Sequence, residues 1–330
     1  MHTAGAAQVF AGPGSGKTYV TVQRIRHLIT VHKVEPSHIL VITFTKAAAL
    51  EMQERFFCLV KPDKPPVWFG TFHAIFYHIL KQSPQYRGYT IITESGKKSL
   101  LRQIVRMHKR FACIQEEDLD GLVASISTYK TTSVLCEPSV QKLRAEDMVF
   151  LAREYQSFLN EFGQMDFDDM GLYCWQLLVD VPDVLRRWQA QFRFILIDEF
   201  QDISPQQYEI IKLLAAPENN LFIVGDDDQS IYGFRGASPD SMQRFMMDFT
   251  GAQRIFLDAN YRCRKPVVEA SLKVVGENKN RVDKQIYAAQ EGGGKFSLQI
   301  FEDESEEELW LVQTLRQKQE TKELSQCALI

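Results

Sequence analysis

The residues with the clearest chemical potential lie near the start of the chain, in the run Ala11-Gly12-Pro13-Gly14-Ser15-Gly16-Lys17-Thr18. An apolar segment, residues 6–10, precedes this run, and an amphipathic segment, residues 19–31, follows it. Closely spaced glycines let backbone N–H groups turn inward around phosphate oxygens, and the N-terminus of a following helix adds partial positive charge. In such a loop Lys17 reaches the β- and γ-phosphates, and the Thr18 hydroxyl ligates Mg²⁺. The run therefore predicts a nucleotide phosphate site.

A pair of carboxylates, Asp198 and Glu199, follows the apolar residues 192–197 directly. This arrangement suits nucleotide hydrolysis, in which Asp198 holds Mg²⁺ directly or through water and Glu199 orients and deprotonates the attacking water. The simpler alternative is a solvated acidic turn at the end of a strand. The phosphate loop elsewhere in the chain favours the catalytic interpretation.

A third polar segment, residues 225–236, begins with Gly225 and three aspartates and ends in an aromatic and basic group. Gln229 is a neutral hydrogen-bonding side chain that suits sensing of the γ-phosphate or of the attacking water. Tyr232, Phe234 and Arg235 offer aromatic faces and a cation, on which bases of single-stranded nucleic acid stack with about 1–3 kcal/mol each. The alternative is that Tyr232 and Phe234 are ordinary core aromatics. A calcium loop is not indicated, because the bidentate glutamate that would close it is missing.

Six short apolar runs predict buried parallel strands, separated mostly by helical patterns, which indicates a doubly wound α/β domain. The runs are residues 6–10, 39–43, 67–70, 192–197, 221–225 and 254–257. A polar group follows each run: Lys17 and Thr18, residues 43–46, residues 71–73, Asp198 and Glu199, residues 226–229, and residues 260–262. Ligands of open α/β sheets bind outside the carboxyl ends of the strands, so we expect these groups to form one site.

The stretch between the third and fourth runs is far longer than a normal crossover and is mostly helical in pattern. We therefore predict an inserted helical subdomain over residues 85–165, with helices at residues 95–109, 116–127 and 140–162. The nucleotide-binding domain would comprise residues 1–84 and 166–265. Residues 266–330 would begin a second domain, with a strand at 296–301, a helix from the acidic residues 302–308 to about 321, and another strand opening at 328.

Composition limits the other possibilities. Lys and Arg number 38 against 42 Asp and Glu, a net charge of −4, which argues against bulk electrostatic binding of nucleic acid but leaves room for a local groove. The six cysteines are scattered without a Cys-x-x-Cys pair, which predicts reduced thiols rather than disulfides or zinc. No apolar run approaches the roughly 20 residues that a membrane span needs, and no signal-peptide pattern is present. We expect a cytoplasmic protein without membrane contact.

Taken together, the motifs resemble those of the UvrD/Rep-type superfamily 1 DNA helicases, in the family's order and over nearly the whole chain. They are residues 11–18, Thr43-Phe44-Thr45, Gly70-Thr71-Phe72-His73, Asp166-Phe167-Asp168-Asp169, Asp198-Glu199-Phe200-Gln201-Asp202, residues 225–236 and Asn260-Tyr261-Arg262. The resemblance implies a RecA-like phosphate-loop NTPase fold with an inserted helical subdomain and the start of a second RecA-like domain.

The resemblance also implies residue roles. Residues 11–18 would cradle the nucleotide, with Lys17 and Thr18 on phosphate and Mg²⁺, Asp198 as metal ligand and Glu199 as catalytic base. Gln229 would couple the γ-phosphate to the DNA site, Tyr261 would stack on adenine, and Arg262 would be an arginine finger, which neutralises charge on the transferring phosphoryl group. The single-strand path would include Phe44, Thr45, Thr71, Phe72, His73, Tyr232, Phe234 and Arg235. His73 alone suits a hydrogen-bonded structural role almost equally well.

The chain departs from the family at several points. The glutamine that reads adenine upstream of the loop is missing, since Gln8 lies inside the first predicted strand. Tyr19 stands where many members have arginine, and Lys46-Ala47 replaces a common Asn-Lys. The chain also ends before the family's C-terminal motifs, so we expect the N-terminal half of the motor, to be completed by a further domain or a partner chain.

The expected function is therefore that of an ATP-dependent DNA helicase or translocase, moving 3′–5′ by resemblance and using ATP and Mg²⁺ on single-stranded or tailed duplex DNA; its pathway, whether DNA repair, recombination, replication restart or plasmid biology, stays open. One alternative is a non-catalytic nucleotide- and DNA-binding fragment. Another is an unrelated phosphate-loop kinase or GTPase, although no Asn-Lys-x-Asp base-reading motif is present. A basic helix face in the insert either meets duplex phosphates or is simply solvated. Its residues are Lys97, Lys98, Arg102, Arg106, Lys109 and Arg110.

Overall fold

The computed structural model describes residues 4–132, 143–230, 241–278, 281–293 and 297–328. The strands are β1 (Ala7–Ala11), β2 (Ile39–Thr43), β3 (Trp68–Thr71), β4 (Thr90–Ile91), β5 (Gln164–Met165), β6 (Phe194–Ile197), β7 (Leu221–Gly225), β8 (Gln253–Leu257), β9 (Ala259–Arg264) and β10 (Tyr287–Gln290). The helices are α1 (Lys17–Thr30), α2 (Lys46–Val60), α3 (Phe72–Lys81), α4 (Glu94–Met107), α5 (Leu119–Thr132), α6 (Ala145–Glu161), α7 (Phe167–Asp180), α8 (Pro182–Gln191), α9 (Pro205–Ala215), α10 (Ser241–Asp248), α11 (Lys265–Val275) and α12 (Glu304–Glu320).

A six-stranded sheet in the order β3-β2-β6-β7-β1-β8 forms the centre of the molecule, and every neighbouring pair in it is parallel. All six predicted strands are present, which confirms the α/β fold class. Strands β1, β2 and β7 are buried along their whole length, as expected when helices cover both faces of a parallel sheet. The strand predicted from residue 192 begins two residues later, because Phe192 ends α8 and packs on Trp188.

Two hydrophobic cores flank this sheet. On one face α1 and α2 contribute Ile25, Leu28, Met52 and Phe56. On the other face α3, α7 and α9 pack together, and the 3₁₀ turn Phe200–Asp202 joins them. Side-chain caps start α2 and α3 at the carboxyl ends of β2 and β3: Thr45 caps α2 and Thr71 caps α3.

The insert between β3 and β6 has a core of its own, made by α4, α5 and α6. Strand β4 pairs in parallel with β5, with Thr90 opposite Gln164. The chain therefore enters the helical insert after β4 and returns from it at β5 at neighbouring positions. The helix predicted at 95–109 is α4, and that at 116–127 begins as a 3₁₀ turn before α5. The helix predicted at 140–162 corresponds to α6, which begins at Ala145. Residues 140–142 of the predicted range lie outside the described part.

Beyond β8 the chain forms β9, α11 and β10, with β10 parallel to β9. The strand predicted at 296–301 is wrong for the described residues 297–301: they pair with no strand in the described ranges, and Ile300 is 87% exposed. A segment of alternating polar and apolar residues forms a β-strand only where the edge of a neighbouring strand supplies hydrogen-bond partners for its backbone. Helix α12 is present, capped by Asp303, whose side chain accepts from the Glu306 N–H. The strand expected from 328 falls largely on residues 329–330, outside the described part.

None of the helices in the described ranges combines the length and apolar character that crossing a bilayer requires.

Candidate nucleotide site

The phosphate loop turns between β1 and α1. Gly14 (φ +68°) and Gly16 (φ +92°) adopt left-handed backbone conformations that favour glycine. Ser15 closes the turn, because its N–H and its hydroxyl both donate to the Gly12 carbonyl, at 3.2 and 2.7 Å. Helix α1 has neither an acidic residue in its first turn nor a side-chain cap. The helix itself therefore contributes no anion that would compete with a phosphate for its positive end.

Residues of β9 lie directly against this loop. The Asn260 side-chain amide donates to the Pro13 carbonyl at 2.7 Å, and the Tyr261 N–H donates to the Gly14 carbonyl at 2.9 Å. A Cβ at Gly14 would lie 2.5 Å from the Arg262 Cβ, so Gly14 is also required for this close approach. The structure thus brings the predicted Tyr261 and Arg262 beside the loop, and both side chains are exposed there.

The predicted carboxylates follow β6. Glu199 has a left-handed backbone (φ +51°), and its Oε2 lies 2.6 Å from the Lys17 Nζ. Asp198 is buried, and its Oδ1 has no hydrogen-bond partner among the described residues. Burial, with the adjacent Glu199 carboxylate, raises the pKa of Asp198 to about 6 against the opposing attraction of Lys17. A buried carboxylate oxygen without a partner is the type of group that a bound cation satisfies.

Gln201 joins the two acidic segments. Its amide nitrogen donates to Glu199 Oε2 at 2.9 Å, and its carbonyl oxygen accepts from the Asp226 N–H at 3.0 Å. Asp226 in turn accepts from the Gln229 amide, 2.5 Å from Oδ2. Lys17, Glu199, Gln201, Asp226 and Gln229 therefore form one continuous hydrogen-bonded series across the carboxyl ends of β1, β6 and β7.

A cavity of about 530 Å³ lies beside this hydrogen-bonded series and is lined by residues from four segments of the chain. It is lined by Thr18, Thr43, Phe44, Thr45, Ala48, Asp198, Glu199, Gln201, Asp202, Asp228 and Gln229. Thr18 and Asp198, the two predicted metal ligands, share this space. Burial and the nearby Glu199 also raise the pKa of Asp202 to about 6.

The residues predicted to line a single-strand path fall into different structural settings. Thr45 and Thr71 are helix caps, accepting from Ala48 N at 3.1 Å and from Ala74 N at 3.3 Å. Phe44 is half-buried at the cavity wall. His73 is exposed, and its ring meets that of Phe167 edge to face, with centroids 5.5 Å apart.

Phe72 does not present its ring to solvent. It is buried in the core against Phe76, so its side chain belongs to the packing of α3 rather than to a base-stacking surface. Three further predicted path residues, Tyr232, Phe234 and Arg235, lie outside the described residues.

Much of the basic face of α4 is paired with acids of the insert. Lys97 binds Glu94 at 2.8 Å, and Lys98 binds Asp120 at 2.6 Å. Arg102 also pairs with Glu116. Lys97 is also buried, so it belongs to neither a solvated nor a phosphate-binding face, and the pairing of Lys98 and Arg102 leaves less attraction for duplex phosphates.

Two groups at the site had no predicted role. Gln201 lies within the segment Asp198-Glu199-Phe200-Gln201-Asp202, but nothing in its residue type distinguishes a bridging amide from a solvated one. Lys284 and Arg281 reach the aspartates of residues 226–228 from far along the chain. Only the three-dimensional structure reveals that contact.

A phosphate loop on the first strand of a parallel sheet, with an acidic pair at the end of a nearby strand, defines a phosphate-loop nucleotide-binding domain. Residues 1–250 match the model of the UvrD/REP helicase N-terminal domain, and residues 255–330 match that of the UvrD-like helicase C-terminal domain. The chain therefore belongs to the UvrD/REP helicase family.

Its relatives include bacterial proteins of greater length. The chain is 38% identical to YjcD of Bacillus subtilis (strain 168) over 96% of this chain and 42% of that protein. It is 33% identical to the ATP-dependent DNA helicase PcrA of Leuconostoc citreum, over 98% of this chain and 44% of the relative. For PcrA of Staphylococcus aureus (strain Mu50 / ATCC 700699) the identity is 34%, over 89% and 41%. The chain thus spans less than half the length of these relatives.

Proposed function

We propose that this chain is the nucleotide-hydrolysing part of an ATP-dependent DNA helicase or single-strand translocase. The observation that carries the proposal is the hydrogen-bonded series from Lys17 through Glu199, Gln201 and Asp226 to Gln229. It links a phosphate-binding cation, a candidate base and a neutral sensing amide at the edge of the sheet where ligands bind.

The triphosphate would occupy residues 11–18, with backbone N–H groups and the α1 N-terminus facing its oxygens. Lys17 would bind the terminal phosphates. For this it must exchange its present partner, the Glu199 carboxylate at 2.6 Å, for a phosphate oxygen. The exchange removes the lysine from Glu199 Oε2 and leaves the Gln201 amide there, so the carboxylate can accept a proton from water, and phosphate binding and base activation are two outcomes of one event.

The residues present fit a magnesium ion. Thr18 and Asp198 both line the cavity and offer hard oxygen donors, the ligand type that Mg²⁺ takes, and the buried Asp198 Oδ1 has no hydrogen-bond partner among the described residues. When bound, Mg²⁺ supplies neutralisation of phosphate charge during transfer. Asp198 must be ionised for this role. Burial raises its pKa to about 6, and an approaching cation would lower that pKa because it favours the charged carboxylate.

Arg262 and Tyr261 would complete the nucleotide site from β9. Their backbone lies against the loop, and their exposed side chains are available to a ligand held there. An exposed tyrosine ring beside the loop suits stacking on a purine, and a guanidinium suits the transferred phosphoryl group.

Single-stranded DNA would cross the carboxyl ends of the strands, past Phe44, Thr45, Thr71 and His73. Tyr232, Phe234 and Arg235, outside the described residues, are proposed to contact it on the family resemblance alone. The edge-to-face pair of His73 and Phe167 adds an exposed aromatic surface to this path. Movement in the 3′–5′ direction, action on tailed duplexes and a cytoplasmic role in DNA repair are part of the same proposal, supported by family membership.

The test is ATP hydrolysis by the chain with and without single-stranded DNA. DNA-stimulated turnover that Lys17→Ala abolishes, and that the exposed control Lys318→Ala leaves intact, supports the proposal. Equal hydrolysis by the parent chain and Lys17→Ala would refute it. Nucleotide and DNA binding without turnover would instead support the alternative, a non-catalytic binding fragment.

A further inference from the structure

Three consecutive carboxylates after β7 surround one lysine from a distant part of the chain. Lys284 Nζ lies 2.6 Å from Asp226 Oδ1 and 2.9 Å from Asp228 Oδ2, and it also contacts Asp227. The Lys284 and Asp226 side chains are 2% and 1% exposed. A buried charge on this scale is stable only when it is paired and hydrogen-bonded, so these four residues form one electrostatic unit.

The ammonium group takes the place that a metal ion would otherwise occupy. Asp226, Asp227 and Asp228 form a group of three carboxylates, within the described ranges, whose oxygens lie close enough together to hold one metal ion. Burial lowers the pKa of Lys284, but attraction and hydrogen bonds from the three aspartates outweigh it and leave the pKa above its ordinary value. Lys284 is therefore charged at neutral pH and acts as the internal cation.

The neighbouring residues strengthen the same contact. Arg281 binds both carboxylate oxygens of Asp228, at 3.1 and 2.9 Å, and the Val282 N–H donates to Asp227 Oδ2 at 2.6 Å. Two side-chain cations and one backbone donor from residues 281–284 thus engage all three aspartates. A bidentate guanidinium pair fixes orientation as well as distance.

This unit is connected to the nucleotide site through Asp226. One oxygen of Asp226 accepts from Lys284, and the other accepts from the Gln229 amide at 2.5 Å. Asp226 is completely buried, and its backbone N–H is held by Gln201, which also binds Glu199. Lys284 at 2.6 Å, together with the more distant Asp228 N–H at 3.3 Å, holds one oxygen of the Asp226 carboxylate, and the resulting rotation orients the Gln229 amide on the other oxygen.

We propose that Lys284 is a positioning residue for Gln229: by fixing Asp226 it holds the Gln229 amide toward the nucleotide cavity. The contacts of residues 281–284 with residues 226–228 are thereby coupled to whether a γ-phosphate is bound. This inference rests on the proposed function, in which Gln229 senses the γ-phosphate. It goes beyond that function because it assigns the orientation of the Gln229 amide to Lys284, a residue of the segment 281–284.

The first experiment compares affinities of the chain for a non-hydrolysable ATP analogue and for ADP, both with Mg²⁺. Lys284→Met should reduce the preference for the triphosphate by about tenfold, the loss expected when a hydrogen bond to a charged group is disordered. Gln229→Ala should give a similar loss. The double variant should lose little more, because the two residues act through one carboxylate. Lys318→Met, which removes an exposed ion pair of the same charge type, is the matched control.

Lys284→Met leaves three aspartates without their central cation, so a charge-matched variant is needed. Lys284→Met/Asp227→Asn removes one negative charge together with the positive one, and the asparagine oxygen still accepts from Val282. It should show the same loss of preference. An unchanged preference in both Lys284 variants, or full additivity with Gln229→Ala, would overturn the inference.

Hydrogen exchange of the unliganded chain separates this inference from the proposed function. The amides of residues 228 and 229 are held by Asp226, so they should exchange faster in Lys284→Met/Asp227→Asn than in Lys318→Met. Unchanged exchange would overturn the inference even if the chain hydrolyses ATP. Faster exchange in a chain that binds no nucleotide would instead support the contact between Lys284 and the Gln229 turn and refute the proposed function.

Discussion

Lys17 Nζ lies 2.6 Å from Glu199 Oε2, so the cation of the phosphate loop and the candidate catalytic carboxylate neutralise each other. The pair is partly buried, with the lysine side chain 12% exposed and the glutamate 34%. A phosphate must therefore compete with Glu199 for the ammonium group. This competition makes the two residues separable by experiment.

Glu199→Gln should strengthen triphosphate binding while abolishing turnover. The neutral amide competes less for Lys17, so we expect affinity for a non-hydrolysable triphosphate to rise a few-fold. DNA-stimulated hydrolysis should fall by about 10²–10⁴, the range for loss of a general base. Lys17→Ala, in contrast, should lose both properties. Hydrolysis at the parent rate by Glu199→Gln would exclude Glu199 as the base.

Asp198→Asn should stabilise the metal-free chain at neutral pH. The folded pKa of about 6 lies above the ordinary 3.8, so the folded state binds the proton more tightly than the unfolded state. The ionised carboxylate therefore costs stability above pH 6, and this cost declines as pH falls through 6 toward 4. We expect Asp198→Asn to gain roughly 2–3 kcal/mol at pH 7.5 and clearly less at pH 4.5.

Urea unfolding in a chelating buffer at both pH values measures this difference, and the exposed Asp63→Asn is the matched control. A pH-independent difference between Asp198→Asn and the parent would show that Asp198 is not the titrating group. Added Mg²⁺ with nucleotide should reverse the order of stability at pH 7.5, because the asparagine removes an ionised ligand.

Gly225→Ala should damage the site through Gln201. A Cβ at Gly225 would lie 2.7 Å from Gln201 Oε1 and 3.0 Å from the Met242 Sδ. The bridging amide must then move, so we expect a loss of about 1–3 kcal/mol in stability together with reduced nucleotide hydrolysis. Gly251→Ala is the control, since nothing lies within 4 Å of its added Cβ. Equal stability of the two alanine variants would contradict the packing described here.

How far the sequence predicts this molecule depends on the range of the interactions involved. The six strands were predictable because residues buried on both faces of a parallel sheet form continuous apolar runs, as in β2 and β7. The phosphate loop and the Asp198-Glu199 pair were predictable because their residues are adjacent in the chain. The contact of Lys284 with Asp226 was not, because 58 positions separate the two and a single lysine carries no local signal.

At two places, Phe72 and residues 296–301, the structure differs from the sequence expectation for related reasons. The motif position of Phe72 suggested a DNA-facing ring, yet Phe72, Ile75, Phe76 and Ile79 share the buried face of α3 at helical spacing. The alternation over 296–301 predicted a strand, but pairing partners cannot be read from one segment. In both cases tertiary packing decided between two patterns that the sequence allowed.

Lys130→Met should weaken the attachment of the helical insert to the sheet. Lys130 of α5 lies 2.8 Å from Asp166 Oδ2 and 2.6 Å from Asp169 Oδ1, and both carboxylates are almost fully buried. Removing the lysine leaves two buried carboxylates without their cation, a change that typically costs about 3–5 kcal/mol.

Chemical denaturation should show this loss, whereas Arg144→Met, whose ion pair with Glu146 is fully solvated, should change stability by no more than about 0.5 kcal/mol. Burial raises the pKa of Asp169 to about 6 even against the attraction of Lys130, and removing the lysine raises this pKa further, so the loss in Lys130→Met should be smaller at pH 5 than at pH 8 because that carboxyl takes up a proton. A loss that is equal at pH 5 and pH 8 would indicate that Lys130 acts through packing on Tyr155 rather than through its charge.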